Sequence, residues 1–120
     1  MTDRFVISLS HGTDDPDRAT VAFTLANAAV GCEQQTVVFL SSEGVRLAVE
    51  GQANAIAEKG FTPLAELMAK FVAAGGEIYT CLPCFNKREL DEGSVLPGVK
   101  IVGGAALVAF MAQGAASVSY

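Results

Sequence analysis

The chain has 120 residues and a mass of 12.4 kDa, and 51% of it is hydrophobic, with a mean hydropathy of +0.39. That length suits one domain, residues 1–120, with a core of its own, and so apolar a composition excludes a disordered chain. Eight basic residues against 13 acidic ones leave a net charge of −5, so the Lys and Arg clusters that neutralise phosphates in nucleic-acid binding are missing.

The first apolar run, Phe5 to Leu9, is broken by Ser8. It is too short for a secretory core and lacks a small-residue cleavage site. It reads instead as the first strand, which delivers Ser10, His11 and Gly12 at its end. Asp15-Pro16 supplies an N-cap and a first helical position. The helix should run to about Val30, with Gly31 as a left-handed stop. Val37-Val38-Phe39-Leu40 is apolar on both faces, as a central parallel strand requires. Ser41-Ser42-Glu43-Gly44 follows it, and Val45 to Glu50 suggests a short helix closed by Gly51.

Residues 52–61 read as loop with some helix. Thr62-Pro63 opens the clearest helix, because Leu64, Leu67, Met68, Phe71 and Val72 share one face. Gly75-Gly76 stops it, and Glu77 to Thr80 form a third strand that delivers Cys81. Asn86-Lys87-Arg88-Glu89 resembles a capping box and predicts a short helix starting there. Pro97-Gly98 is a turn, Val99 to Val102 a fourth strand, and Gly103-Gly104 the turn into a helix reaching about Gln113. Ala116 to Val118 close the series as a fifth strand. The uncharged stretch Ile101–Tyr120 is as long as a membrane span. Its glycines, serines and Gln113 favour a buried helix followed by a buried strand. Five short strands separated by helices imply an α/β fold with a parallel sheet covered on both faces.

In such a sheet, ligands bind beyond the carboxyl ends of the strands. That rim gathers Ser10, His11 and Gly12, then Ser41, Ser42 and Glu43, then Cys81 and Cys84, and finally Gly103 and Gly104. Cys32 precedes the second strand and belongs at the opposite end, as a small buried hydrophobe. Three cysteines cannot all pair internally, which suits thiols in a reducing cytoplasm. Cys81-Leu82-Pro83-Cys84 is the sharpest local signal. A thiol at a strand end, before a helix N-terminus and close to Lys87 and Arg88, is placed to ionise. His11, the one histidine, is a candidate base or orienter for it, or a loop residue that caps the following turn. Gly12, Ser41, Ser42, Gly103 and Gly104 are candidates for binding an anion or substrate, with simple N-caps and turns as the alternative. A zinc site would have Cys81, Cys84 and His11 but no fourth ligand pair, so no metal is expected.

Four segments, in this order and spacing, resemble the DsrE-like family of sulfur-relay and YchN-type small proteins. They are Ser10-His11-Gly12 through Ala29, Val37 through Val45, Cys81 to Lys87-Arg88, and Pro97-Gly98 through Leu107. The resemblance implies a three-layer α/β/α domain with a five-stranded parallel sheet, assembled as a homo-oligomer, trimer or hexamer. It also implies that Cys81 matches the cysteine which carries sulfane sulfur as a persulfide, with Lys87 and Arg88 as the accompanying basic pair. Glu89 stands where a glycine commonly follows that pair, and Cys84 is an additional thiol.

On this reading the chain is a persulfide carrier or sulfurtransferase, with Cys81 as nucleophile and Cys84 as resolving thiol. Its partners would be sulfur donor and acceptor proteins, with neither nucleic acid nor membrane. Thiol exchange needs no organic cofactor. A thiol redox protein using the same pair, and a non-catalytic oligomeric binding or regulatory module, remain open at this point.

Overall fold

The computed structural model describes residues 3–120. Five parallel strands form one sheet in the order β4-β3-β2-β1-β5. They are β1 (Arg4–Leu9), β2 (Gln35–Leu40), β3 (Glu77–Cys81), β4 (Val99–Val102) and β5 (Ala116–Ser119). β2 occupies the centre, and its apolar run Val37–Leu40 follows from burial on both faces.

The alternation of side chains divides the sheet into two unequal faces. Ile7, Leu9, Val38, Leu40 and Ile78 point to one side, where α1 (Pro16–Gly31) and α2 (Leu64–Ala73) cover them. Asp15 caps α1 by accepting from the Arg18 N–H at 3.1 Å. The α2 stripe behaves as its spacing demands: Leu64, Leu67, Met68 and Phe71 are buried and Val72 is half-buried. Phe71 meets Phe23 of α1 edge to face, with ring centroids 6.0 Å apart. That contact locks the two helices against each other over the sheet.

The other face carries Val6, Val37 and Tyr79 under α4 (Gly104–Ala112), with Phe110 as the buried contact. Arg4 ties α4 down through a 2.9 Å bond to the Phe110 carbonyl and a cation–π contact 4.4 Å from the ring centroid.

Several expectations are corrected here. Gly31 stays helical, and Glu33 takes the left-handed position at φ 62°. The short helix expected over Val45–Glu50 is a 3-10 helix that starts and ends earlier, Ser42–Ala48, with Val49 in an isolated bridge to Val95. The short helix after β3 begins earlier than its apparent capping box: α3 spans Leu82–Lys87, with Cys81 at the N-cap and Pro83 in the first turn. Proline prefers that position, since its missing N–H has no partner there anyway. The C-terminal stretch is a helix and a strand but is not buried as expected. α4 lies alone on its face and β5 is a sheet edge, so only Phe110 of α4 is buried. Among the described residues, no helix is long and apolar enough to cross a membrane.

Phe71→Ala should destabilise the protein by about 3–5 kcal/mol, because it leaves a cavity in the α1–α2 contact. A urea denaturation midpoint checks this; an unchanged midpoint would contradict the packing described.

Candidate functional site

Parallel strands end together, so the loops after β1, β2, β3 and β4 share one rim. The first two meet backbone to backbone. A Cβ on Gly12 would lie 2.8 Å from the Glu43 carbonyl oxygen, and one on Gly44 would lie 2.5 Å from that of Leu9. Only glycine allows such an approach. Pressed against the first loop, the second turns tightly: the Gly44 N–H donates to the Ser41 carbonyl at 2.8 Å, and Ser42 adopts φ 50°. This left-handed conformation is uncommon outside glycine. The Ser42 amide is among the groups that lower the Cys84 thiol.

Cys81 ends β3 and caps α3; Cys84 lies one helical turn on. Both are free thiols at intermediate exposure. Arg88 follows α3 and folds back over it. Its Nη1 donates to the Cys84 carbonyl at 3.1 Å and its Nε to Glu43 Oε2 at 2.7 Å. With only 14% of its side chain exposed, this guanidinium is well fixed. Glu43 also accepts from Arg46 Nε at 2.8 Å. Hydrogen bonds from Arg88 and then Arg46 hold the Glu43 carboxyl below its ordinary range.

These neighbours act differently on the two thiols. Burial pushes Cys84 up. The Cys81 thiol, the Ser42 amide and the charges of Arg88 and Lys87 outweigh it and bring Cys84 below the ordinary thiol value. Burial and the adjoining Cys84 instead raise Cys81, against weaker pulls from the Cys84 amide and Arg88. Cys81 stands at the start of α3, as expected, with Lys87 at its last turn and Arg88 just beyond. Burial and the adjoining Cys84 nevertheless outweigh the pull of Arg88 and move the Cys81 thiol upward. The Cys81 side chain makes no capping hydrogen bond.

The other expected residues divide. His11 is bound through Nδ1 to Asp14 Oδ2 at 2.9 Å, while Asp14 Oδ1 accepts the Gly12 N–H at 2.8 Å. These two contacts keep the Asp14 carboxyl low despite its partial burial. His11 thus serves the turn after β1 and is not among the groups that influence either thiol. Ser41 precedes the 3-10 helix without a side-chain capping bond. Gly103 follows Val102, the register partner of Cys81, so Gly103-Gly104 shares the thiol end of the rim and faces open space. Cys32 is exposed, not buried, because it caps the end of α1 beyond Ala29, the helix's last buried residue. Glu43 was expected at the rim after the second strand, but its pairing with Arg88 and Arg46 was not read from the sequence, and neither was the Ser42 amide. An apolar cavity of about 320 Å³ under α2, lined by Val49, Met68, Val72, Leu96 and Val99, shares no residue with this cluster.

The model of the DsrE/DsrF-like family matches residues 3–120. The uncharacterized protein MJ0760 of Methanocaldococcus jannaschii is 23% identical over 111 residues, which cover 92% of this chain. The match takes in 40% of that relative's length. Among solved structures, the ychN protein of E. coli superimposes with a TM-score of 0.83 at 17% identity, over 100% of both chains. MTH1491 of Methanobacterium thermoautotrophicum, described as a protein of unknown function, gives 0.75 at 18% identity over 98% of each. These likenesses confirm the five-stranded parallel α/β fold.

Gly44→Ala tests how the rim is built. The added methyl meets backbone on β1, so a loss of about 1–3 kcal/mol is expected, typical of overpacking. Thermal unfolding reads it; wild-type stability would contradict the close approach.

Proposed function

The chain belongs to the DsrE/DsrF-like family, and from that membership we propose that it carries sulfane sulfur as a persulfide on the pair Cys81 and Cys84. The family is generally linked to sulfur relay. The observation that carries the reading is the pair itself. Two free thiols sit at the rim end of β3, within one helical turn and beside a fixed guanidinium.

The chemistry is thiol exchange. A protein thiolate attacks the outer sulfur of a donor R–S–SH. A new S–S bond forms, the old one breaks, and R–S⁻ leaves. The protein then bears S–SH, which an acceptor thiolate removes in the same way. The reaction needs a thiolate, a neighbouring positive charge and access to water, and no organic cofactor. Donor and acceptor are proteins bearing reactive thiols, and the reducing cytoplasm is the compartment that keeps such a pair ready.

The carrier works as a homo-oligomer, trimer or hexamer, assembled through α4. That helix, GAALVAFMA, has no charged residue, and Val108 is 68% exposed. A helix apolar all round is suited to burial, whereas here one side faces solvent.

Two measurements follow. Incubation with a persulfide donor should add about 32 Da, one sulfur atom, to the peptide holding Cys81 and Cys84. A loss of about 2 Da with mild peroxide and no sulfur uptake would favour a thiol redox protein. Val108→Asp should reduce the mass measured by light scattering toward that of one chain; an unchanged mass would remove α4 from the interface.

A further inference from the structure

We infer that the cavity under α2 is a binding site for a small uncharged apolar molecule, of the size of two fused aromatic rings, separate from the thiol rim. The cavity lies toward the amino ends of β3 and β4, where Ile78 and Val99 are register partners. Cys81 and Val102, the partners at the rim, come three residues later on the same two strands. Met68, Ile78 and Ala53 are buried and form the floor. Asn54, Ala69, Ala73 and Pro97 are exposed and form the mouth.

The walls are fixed. Opposite α2, the segments around Val49 and Val95 are joined by an antiparallel bridge. The Glu50 N–H donates to the Ser94 carbonyl and the Leu96 N–H to the Ala48 carbonyl, each at 2.8 Å. Gly98, at φ 83°, comes so close to α2 that a Cβ there would lie 2.5 Å from Val72 Cγ1. A space framed in this way has little freedom to collapse, and small-molecule sites are largely preformed. The composition of α2 helps to keep it open. Ala65, Ala69 and Ala73 recur at four-residue intervals beside the large residues of the core stripe, so that flank of the helix carries only methyl groups. Val49, Val72, Leu96 and Val99 pack on the core but stay half-buried around the cavity. An apolar occupant completes their burial, and that is its driving force.

The lining selects the occupant. It contains no charged residue, and an unpaired charge is costly to bury, so the molecule is neutral. Asn54 supplies the one side-chain amide, at the mouth, for a single polar group. The volume of about 320 Å³ is about twice that of an engineered apolar cavity of about 150 Å³ that takes benzene, which sets the size at two rings. The exposed large apolar side chains, Phe61, Leu82 and Val108, are not in the wall. A surface that docks a second copy presents anchors of that kind.

The test uses the full chain, labelled with carbon-13 at the methyl groups of Met, Ile, Leu and Val and followed by NMR. Indole is the neutral two-ring probe. It should shift the methyl signals of Met68, Val72, Ile78 and Val99 saturably, with a dissociation constant of about 1 mM or tighter, the range of a ligand with so few atoms. Leu9 and Leu40, at the rim ends of β1 and β2, should not move. Ala69→Leu extends a side chain over the mouth from an exposed helical position and should weaken binding by about tenfold or more while the other methyl signals keep their places. Ala73→Leu, also exposed, repeats the test from the next turn. Indole-3-carboxylate, the same rings with a negative charge, should not bind. Shifts that never saturate, saturable shifts that both variants leave unchanged, or equal binding of indole-3-carboxylate overturn the inference. A Met68 signal that moves with protein concentration in the absence of indole assigns the cavity to a second copy and overturns it as well.

Discussion

The close approach of two strand-end loops governs everything at the rim. Gly44 lies against the end of β1 and Gly12 against the Glu43 carbonyl, with room for no side chain at either place. Because the loops are in contact, the chain after β2 has to turn within a few residues, and Ser42 takes a left-handed conformation. That one turn brings in a backbone amide that lowers Cys84, and it sets Glu43 where it can hold Arg88. The charge distribution over the two thiols is thus a consequence of backbone packing between β1 and β2. It does not arise from the sequence around the cysteines alone.

The electrostatic logic is local. A thiolate in a half-buried site loses hydration, and something must replace it. Around Cys84 the replacement comes from an amide, a neighbouring thiol and a guanidinium that cannot swing away. Glu43 has two effects: it fixes the position of Arg88 and offsets part of its charge. A fixed, partly compensated guanidinium suits a thiolate that must give up what it binds. Excessive stabilisation lowers nucleophilicity along with the pKa.

Much of the architecture was legible in the sequence. The apolar run Val37–Leu40 announced a central strand, and the spacing from Leu64 to Val72 announced the face of α2. Where the reading failed, the reasons are physical. α3 has six residues, too few to show a periodicity, and Asn86 imitated a cap while Pro83 marked the true first turn. α4 and β5 were expected to be buried because they are apolar, but burial depends on what covers them: α4 has the sheet on one side only, and β5 is an edge paired with β1 alone. The strand-end rule collected the right rim residues, including both thiols. It could not rank them, because the deciding groups are a backbone amide, which no residue type encodes, and a Glu43–Arg88 pair that only the fold brings together. His11 was drawn to the thiols by its chemistry and is held by Asp14 instead.

The central claim is that the rim lowers the Cys84 thiol and raises that of Cys81. The most direct measurement is a pH titration by NMR of the full chain, labelled with carbon-13 at the cysteine β carbons. The account predicts that the first thiol-to-thiolate step appears at Cys84, below the value of a free cysteine, while Cys81 titrates only at higher pH. A first step at Cys81, or identical curves for the two residues at the value of a free cysteine, would contradict it.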